Sequence, residues 1–556
     1  METDPLERTC RVSIRHIQSG SPICLVHHAA LGSIFSLFLA LLAVLGCTKV
    51  GPDYATPSLK VSDTWMGSGK DGLRAETPEQ AEWWKALGDP VLDSLVQMAY
   101  RQNLPLRTVG VRVFAARAQL GIAVGLLYPQ SQQGFGSIQY NRSSERAPAS
   151  PQPGTSNAVG FGFWEAQLGV SASWEMDFWG KLRRAVEAAD SNLLGAIAAY
   201  DNAMVTLSSD LASTYVLIRT LEERVQIARD NLVIQQESLR IARARFEGGA
   251  TSERDVQQAL TQLNSTEASI PQLETSLRQT QNALSILLAV PPMEIDPLLK
   301  GDSRIPSVPP TIAVGIPADL LRRRPDIRLA ELRAMTQCAQ IGIAKADLYP
   351  MFSLTGSFGL LASDAGQFGI GDLFSWKSRT GFIGPTFQWN ILNYGQITNQ
   401  VRIQDARFQE LLLDYQNAVL QAQMEVEDGL VAFVKAQEEV RYLTLAADAA
   451  KRSVELSLIQ YREGATDYTT VLTAQQALLL QQDNLVIGRG DVPQGLVSIY
   501  RALGGGWEMR AGQDFIPPDI LETMKNRTNW GNLLTPAAVE PTPQEKKDAL
   551  FRAPDW

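Results

Sequence analysis

The sequence Ala-Gln-Leu-Gly-Ile-Ala at 118–123, continued by Leu-Tyr-Pro at 127–129, returns as Ala-Gln-Ile-Gly-Ile-Ala at 339–344, continued by Leu-Tyr-Pro at 348–350. The two copies lie 221 residues apart, which is far longer than the period of a solenoid repeat. This spacing favours an internal duplication in which two halves of the chain fold on the same plan. Whatever structure one half forms, we expect the other half to form a similar one.

A second pair of matches lies in two long helical stretches. Phe-Glu-Gly-Gly-Ala-Thr at 246–251 matches Tyr-Arg-Glu-Gly-Ala-Thr at 461–466, 215 residues later. Between Lys181 and Glu247 there is no proline and a single glycine, so this stretch predicts a helix on the order of 100 Å long. Apolar residues recur at three- and four-residue spacing in matched register in both halves, which is typical of coiled-coil packing. The predicted long helices cover about 181–247, 251–289, 396–463 and 467–503.

Four short segments, two in each half, alternate apolar and polar residues and therefore predict β-strands. Their length is about that of tilted membrane-crossing strands, roughly 9–11 residues. Four strands cannot close a barrel, and an open edge within lipid leaves backbone groups unpaired at several kcal/mol each. Either the strands form a soluble sheet, or several chains share one barrel; three chains would supply twelve strands, above the bacterial minimum of about eight. The segments are 134–140, 167–174, 352–358 and 381–389.

Composition excludes several classes of protein. With 45% hydrophobic residues, a mean hydropathy of −0.08 and no second long apolar run, the 556-residue chain is not a multi-span helical membrane protein. Its net charge of −9 gives no support for nucleic-acid binding. The histidines are His16, His27 and His28, so removal of the N-terminal end would leave none for Ser-His-Asp catalysis or for a metal site. We therefore expect no enzyme activity, no cofactor and no metal.

The N-terminal end has the pattern of a lipoprotein signal. Arginines precede an apolar run at 29–46, and Val-Leu-Gly at 44–46 comes directly before Cys47, which resembles the bacterial lipobox. An acylated Cys47 would become the new N-terminus, and its acyl chains would hold the protein on a membrane. Thr48, instead of Asp, resembles lipoproteins sent to the outer membrane. The alternative is a transmembrane anchor with a chance cysteine.

Composition and pattern together divide the chain into six segments. Each of the two repeats is expected to contain a helix, two strands, a long helix and a further helix. Proline and charged residues predict that the last segment is a poorly ordered tail. The predicted segments are a signal peptide at 1–46, a lipidated N-terminal segment at 47–80, a first structural repeat at 81–290, a Pro-rich linker at 291–317, a second structural repeat at 318–507 and a C-terminal tail at 508–556.

Several short motifs follow one another in a characteristic order. They are Cys47 with Val-Gly-Pro-Asp-Tyr at 50–54, Leu-Gly-Asp-Pro at 87–90, Leu-Arg-Arg-Arg-Pro-Asp-Ile at 321–327, Tyr-Arg-Glu-Gly at 461–464 and Tyr-Arg-Ala-Leu-Gly-Gly-Gly-Trp at 500–507. With the duplication, they resemble the TolC/OprM-type family of outer-membrane efflux proteins, in its lipoprotein (NodT-like) branch, over about residues 47–507. The resemblance implies a mainly α fold with a membrane β-barrel: a homotrimer with a twelve-stranded barrel in the outer membrane of a Gram-negative bacterium and a long periplasmic α-barrel.

The resemblance also implies a gate at the periplasmic tip, where the helix pairs turn. The glycine breaks at Gly248–Gly249 and at Gly464 match those turns. Family gates link a tyrosine of the second half to an aspartate of the first half by hydrogen bonds, and Tyr461 and Asp255 occupy the matching positions. The alternative is a plain structural role, with Tyr461 packed at a heptad position and Asp255 in solvent.

Three threonines near this tip depart from the family pattern. Thr466 stands where some members carry a gate arginine, and Thr470 and Thr473 stand where members often carry an acidic ring. We therefore include Thr466, Thr470 and Thr473 among the candidate gate residues.

The function implied by the resemblance is that of a passive exit duct. Small molecules, such as drugs or other toxic compounds, would arrive from a periplasmic adaptor protein and an inner-membrane pump, probably of the RND class, which supplies the energy. One alternative is a lipid-tethered periplasmic coiled-coil scaffold without a pore. Another is an export duct for protein or polysaccharide.

Overall fold

The computed structural model describes most of the chain. The predicted signal peptide and the predicted lipidation residue, Cys47, lie outside the described residues. Within the described part, no helix combines the length and the apolar character needed to cross a membrane. The described residues are 49–57, 61, 65, 73–74, 81–142, 162–301, 303–309, 312–313, 323–365, 369–510 and 513–535.

Helices make up most of the described chain. They are α1 (Pro90–Gln102), α2 (Leu104–Gly125), α3 (Lys181–Glu247), α4 (Glu253–Leu287), α5 (Ile295–Leu298), α6 (Pro325–Ala346), α7 (Gln396–Arg462), α8 (Tyr468–Ala502) and α9 (Pro518–Arg527). The two longest, α3 and α7, have 67 residues each, and each is followed by a helix of 35 residues. At 1.5 Å per residue, α3 and α7 are each about 100 Å long.

Both of the longest helices begin at a glycine in the left-handed region. Gly180 (φ 74°) precedes α3 and Gly395 (φ 85°) precedes α7. Glycine adopts these φ values without the strain that a side chain brings. The carboxylate of Asp177 accepts hydrogen bonds from the backbone N–H groups of Leu182 and Arg183 at 2.9 and 3.0 Å, which satisfies donors at the start of α3. The chain therefore passes from strand to helix at equivalent points of its two halves.

Four strands form one antiparallel sheet. A separate pair of two-residue strands, β1 (Leu73–Arg74) and β4 (Ile312–Ala313), is parallel. In the four-stranded sheet, neighbouring strands lie in the order β2-β3-β5-β6, so β2 and β6 are its two edges. The four strands are β2 (Ser131–Arg142), β3 (Gly162–Met176), β5 (Met351–Ser363) and β6 (Arg379–Gln388).

The largest apolar core lies where α1, α3, α7 and α8 meet. Trp83 stacks on Tyr500 with ring centroids 5.3 Å apart, and the neighbouring Trp84 is also buried. The hydroxyl of Tyr215 donates a hydrogen bond of 2.6 Å to Asp89, which caps α1. Since α3 and α7 both start beside the sheet and run past this core, the sheet and the helix turns lie at opposite ends of the molecule.

A buried arginine fixes the first described segment of the chain. The guanidinium of Arg184 donates to the carbonyl oxygens of Val50 and Gly51, both at 3.2 Å, and pairs with Glu187 at 2.9 Å. A Cβ atom on Gly51 (φ 97°) would lie 2.5 Å from the Cα atom of Gly342 on α6. The segment that follows the predicted lipidation residue is therefore held against α3 and α6, close to the sheet.

The prediction of a poorly ordered C-terminal tail is wrong for residues 513–535. This segment packs on α2 and the first part of α3, and the Phe515 ring lies edge-on to Phe114 and Tyr200 at centroid distances of 6.4 and 5.2 Å. The segment is rich in proline and charged residues, but it also contains a few apolar residues that pack on α2 and α3. Those buried residues are Phe515, Ile516, Met524 and Leu534.

Candidate functional site

The two pairs of long helices turn at the end remote from the sheet. Residues 248–252 connect α3 to α4, and residues 463–467 connect α7 to α8. Gly249 (φ 70°) and Gly464 (φ 78°) hold equivalent left-handed positions, and in each turn the N–H of the following alanine donates to the carbonyl oxygen five residues back at 2.8 Å. Gly248 has a φ of −77°, which any residue can adopt. Of the predicted glycine breaks, Gly249 and Gly464 are the two that the backbone requires.

Tyr461 and Asp255 meet beside these turns. The Tyr461 hydroxyl donates a hydrogen bond of 3.2 Å to Oδ2 of Asp255, and the Thr251 hydroxyl donates to the same oxygen. Tyr461 is 1% exposed and Asp255 is 4% exposed, so the carboxylate is buried and not in solvent. Since Tyr461 ends α7 and Asp255 begins α4, this contact connects the two helix pairs of one chain.

A small apolar cluster surrounds the contact. The rings of Tyr461 and Tyr468 meet edge-on with centroids 5.3 Å apart, and the Tyr468 hydroxyl lies 3.1 Å from the Ser238 hydroxyl. Burial raises the pKa of Tyr461 to about 12, and the nearby Asp255 carboxylate acts in the same direction. Tyr461 therefore keeps its proton and acts as a donor at neutral pH. The other cluster members are Leu239, Ile241, Ala242, Val256, Ala259 and Val471.

Two arginines flank the contact in different ways. The guanidinium carbon of Arg245, in the last turn of α3, lies 4.5 Å from the centre of the Tyr461 ring. Arg254 approaches Asp255 from the outside, with Nη2 3.6 Å from Oδ1, and its side chain is 66% exposed. The ion pair of Arg254 is therefore well screened by solvent, whereas Arg245 is packed into the contact.

The three candidate threonines make their described hydrogen bonds with other groups than Tyr461 and Asp255. The Thr466 hydroxyl donates to the Thr470 hydroxyl at 2.9 Å, and Thr470 donates through its hydroxyl and its backbone N–H to Asp467 at 2.9 and 3.2 Å. These hydrogen bonds from Thr470 lower the pKa of Asp467. The Thr473 hydroxyl donates to a carbonyl oxygen of its own helix at 2.8 Å. Asp467 therefore caps the start of α8, and Thr470 supplies the donors to its carboxylate.

Thr251 and Arg245 belong to the site and were missed from the sequence. Thr251 lies 215 residues before Thr466 and makes the equivalent i to i+4 hydrogen bond, so the internal match carried a signal for it. Arg245 has Gln460 as its counterpart and carried no such signal.

The sequence of this chain matches a known protein family and several of its members. The sequence profile of the outer membrane efflux protein family matches residues 95–290 and 316–505. The chain belongs to this family. Nodulation protein T of Rhizobium leguminosarum bv. trifolii is 30% identical over 474 residues, which cover 85% of this chain and 96% of that protein. The toluene efflux pump outer membrane protein TtgC of Pseudomonas putida is 30% identical over 488 residues, which cover 86% of this chain and 97% of that protein.

A solved structure has the same fold as this efflux protein. The outer-membrane channel OprN superposes with a TM-score of 0.75 at 30% identity, covering 83% of this chain and all of that one. The resemblance to the TolC/OprM-type family and its NodT-like branch is thereby confirmed, as is a mainly helical chain with four strands in one sheet.

The site connects the two helix pairs through contacts near their turns. Its groups are a hydroxyl donor, a buried carboxylate and a guanidinium, and their contacts are local. Within the described residues, no group of three His, Cys, Asp or Glu side chains is placed to hold a metal ion. The arrangement therefore suits a conformational latch.

Proposed function

We propose that this efflux protein is the outer-membrane exit duct of a tripartite efflux system, a passive trimeric channel that carries small toxic molecules out of the cell. The observation that carries the proposal is the sheet: four antiparallel strands with one apolar face, one polar face and two open edges.

The two faces of the sheet suit lipid and water. Strand register places side chains of one kind on each face, because successive residues of a strand point to opposite sides. Five apolar side chains are exceptions on the polar face, and three polar or charged ones are exceptions on the apolar face. The first are Phe135, Phe163, Met351, Leu361 and Phe382, and the second are Gln132, Arg142 and Arg379. The apolar face carries Ile138, Tyr140, Trp164, Leu168, Val170, Leu354, Phe358, Leu360, Ile383 and Phe387. The polar face carries Gln133, Ser137, Gln139, Gln167, Ser171, Ser173, Ser353, Thr355, Ser357, Thr380 and Thr386.

Much of the apolar face is exposed to water in the single chain. Val170 is 59% exposed, Ile138 69% and Ile383 80%. A contiguous apolar patch of this kind marks an interaction with lipid or with protein. Aromatic rings lie on this face at both ends, with Tyr140 and Trp164 at one end and Phe352 and Phe387 at the other. Outer-membrane barrels carry such aromatic girdles at both interfaces.

The strands are long enough to cross the outer membrane. The shortest, β6, has 10 residues, which at about 3.4 Å per residue and a tilt of about 40° span about 26 Å. The apolar band of an outer-membrane barrel is about 25 Å tall.

The open edges suit closure by copies of the same chain. Because the sheet has an even number of strands, β6 of one copy and β2 of the next run in opposite directions and can continue the antiparallel order. Three copies would give a twelve-stranded barrel without an unpaired edge in lipid. We infer that the homotrimer closes in this way.

The helix α7, which follows the edge strand β6, carries an exposed apolar surface that could contact a neighbouring copy. Exposed apolar side chains recur along α7 at intervals of 7, 11, 14 and 11 residues, and at 100° per residue they stay within about 40° of one face. An apolar stripe that long on an exposed helix fits a neighbouring copy in an α-barrel. The stripe consists of Leu413, Leu420, Val431, Leu445 and Leu456.

We further propose the duplication and the lipid anchor. The equal lengths of α3 and α7, and of α4 and α8, support two structural repeats at 81–290 and 318–507. Acylation of Cys47 is supported by the position of Lys49, which packs against Gly180 between β3 and α3. An acyl group attached just before this point would enter the membrane beside the barrel.

The periplasmic end is proposed to dock the partners. The helix turns would meet a periplasmic adaptor protein, which connects to an inner-membrane pump of the RND class. The contact of Tyr461 with Asp255 would act as a gate that keeps the duct closed at rest. The proposal of a toxic small-molecule cargo takes its support from the relative TtgC, which is named for toluene efflux.

A matched pair of variants tests the duct. Val170 and its neighbour Ser171 lie near the middle of β3 on opposite faces. Arginine on a lipid face costs about 2–4 kcal/mol at the midplane, so Val170→Arg should reduce the yield of heat-modifiable trimer. Ser171→Arg should assemble normally and change the ion selectivity of single channels in planar bilayers. A purified wild-type protein that gives no conductance steps would support the pore-free scaffold instead.

A further inference from the structure

One basic side chain of the site, Arg245, has not yet been given a specific task in the proposed gate. The guanidinium of Arg245 lies over the ring of Tyr461, yet its Nε and Nη1 groups are buried without a hydrogen-bond partner. We propose that Arg245 is the positioning residue of the gate: it holds the Tyr461 ring so that the hydroxyl reaches Asp255. This inference rests on the proposed gate and deepens it.

The described contact of the Arg245 guanidinium is with the Tyr461 ring. A distance of 4.5 Å from the guanidinium carbon to the ring centre is well within the range of a cation–π contact. Arg245 also reaches the opposite turn, because a Cβ atom on Gly464 would lie 3.6 Å from its Nη2. Arg245 therefore packs between the Tyr461 ring and the α7–α8 turn, where it restricts how the ring can tilt.

The contact joins the ends of three helices. Arg245 comes from the end of α3, Tyr461 from the end of α7 and Asp255 from the start of α4. A tilt of the ring would lengthen the 3.2 Å bond to the buried carboxylate. The ring orientation set by Arg245 therefore decides whether the hydroxyl can bridge the two helix pairs.

At the counterpart positions in the described residues, the arrangement is not repeated, despite the sequence match between the halves. The residues 215 positions from Arg245, Tyr461 and Asp255 are Gln460, Phe246 and Thr470, which lack the charge, the hydroxyl and the carboxylate. The opposite contact is consequently absent among these three described counterparts. One chain thus supplies one latch, held by one arginine.

The test measures leak current through purified trimers of the full chain in planar bilayers. Arg245→Gln should raise the frequency of leak openings about tenfold, which corresponds to about 1.4 kcal/mol. Arg245→Lys keeps the charge over the ring and should restore most of the closure. Arg243→Gln, which changes an exposed arginine two residues away, should behave as wild type.

A double substitution separates positioning from a merely structural role. In a Tyr461→Phe background the hydroxyl is gone, so Arg245→Gln should add no further leak. An equal increase in both backgrounds, or an unchanged leak for Arg245→Gln in the wild-type background, would overturn the inference while leaving the pore intact. Absence of any conductance in wild type would instead refute the duct itself.

Discussion

Replacing Tyr461 by phenylalanine removes a single hydroxyl from the latch. The ring contacts with Tyr468 and Arg245 remain, so the substitution isolates the bond to Asp255. Hydrogen bonds to charged groups contribute about 1.5–3 kcal/mol. The lower end applies here, because the distance of 3.2 Å is long for a hydroxyl donor and Asp255 keeps the bond from Thr251. A loss of about 1.5 kcal/mol corresponds to about a tenfold shift towards the open latch.

Single-channel recording of purified trimers measures this shift directly. Tyr461→Phe should increase the open probability of the resting channel by about tenfold for each latch that must release. Tyr442→Phe, which removes an exposed hydroxyl from the same helix, serves as the matched control and should leave the leak unchanged. A resting leak in Tyr461→Phe equal to that of wild type would refute the role assigned to the hydroxyl.

Three further predictions concern stability. Arg184→Ala should destabilise the protein by about 1–3 kcal/mol, because the carbonyl oxygens of Val50 and Gly51 lose their donor while the partly exposed Glu187 keeps its ion pair with Lys49. Arg333→Ala at an exposed site should change stability by less than about 0.5 kcal/mol; thermal melting compares the two variants, and equal melting temperatures would contradict the assignment. Gly249→Ala should cost about 1 kcal/mol because its φ is 70°, while Gly248→Ala at a φ of −77° should not, and denaturant midpoints decide between them. Burial raises the pKa of Glu508 above its usual value near 4.5, so the folded state binds the proton more tightly than the unfolded chain and stability falls as pH rises through that window. Glu508→Gln should therefore raise the melting temperature at pH 7 and flatten its pH dependence above the usual pKa of a glutamate; a melting temperature at pH 7 equal to or below that of wild type would count against this sign.

The long helices could be predicted from the sequence, whereas their exact contacts could not. The stretch 181–247 was delimited by glycines and by unbroken apolar spacing, and it is the helix Lys181–Glu247. The strand predicted at 134–140 is longer, at Ser131–Arg142, because pairing with β3 extends a ladder through residues whose own alternation is weak. The C-terminal segment was predicted to be a poorly ordered tail because of its proline and charge content. Four of its apolar residues are nevertheless buried against the helices.

The sequence predicted only some residues of the candidate site, because the others are brought together by helix packing. Tyr461 and Asp255 carried a signal because they lie beside the repeated glycine motif and match a family pattern. Thr251 and Arg245 contribute through the way the helix pairs pack, which no spacing within one helix reveals. Thr470 and Thr473 stand where family members often carry acidic residues, and both lie exposed near the start of α8.

Cross-linking of the two sheet edges tests the central claim most directly. Cys338, a buried cysteine, is first replaced by alanine, and Ser137→Cys on β2 is then combined in turn with Thr380→Cys or Thr386→Cys on β6. If three chains share one barrel, oxidation of at least one pair should give covalent dimers and trimers on denaturing gels. Pairs that oxidise solely within one chain, or that leave only monomers in protein with a folded sheet, would contradict the shared barrel.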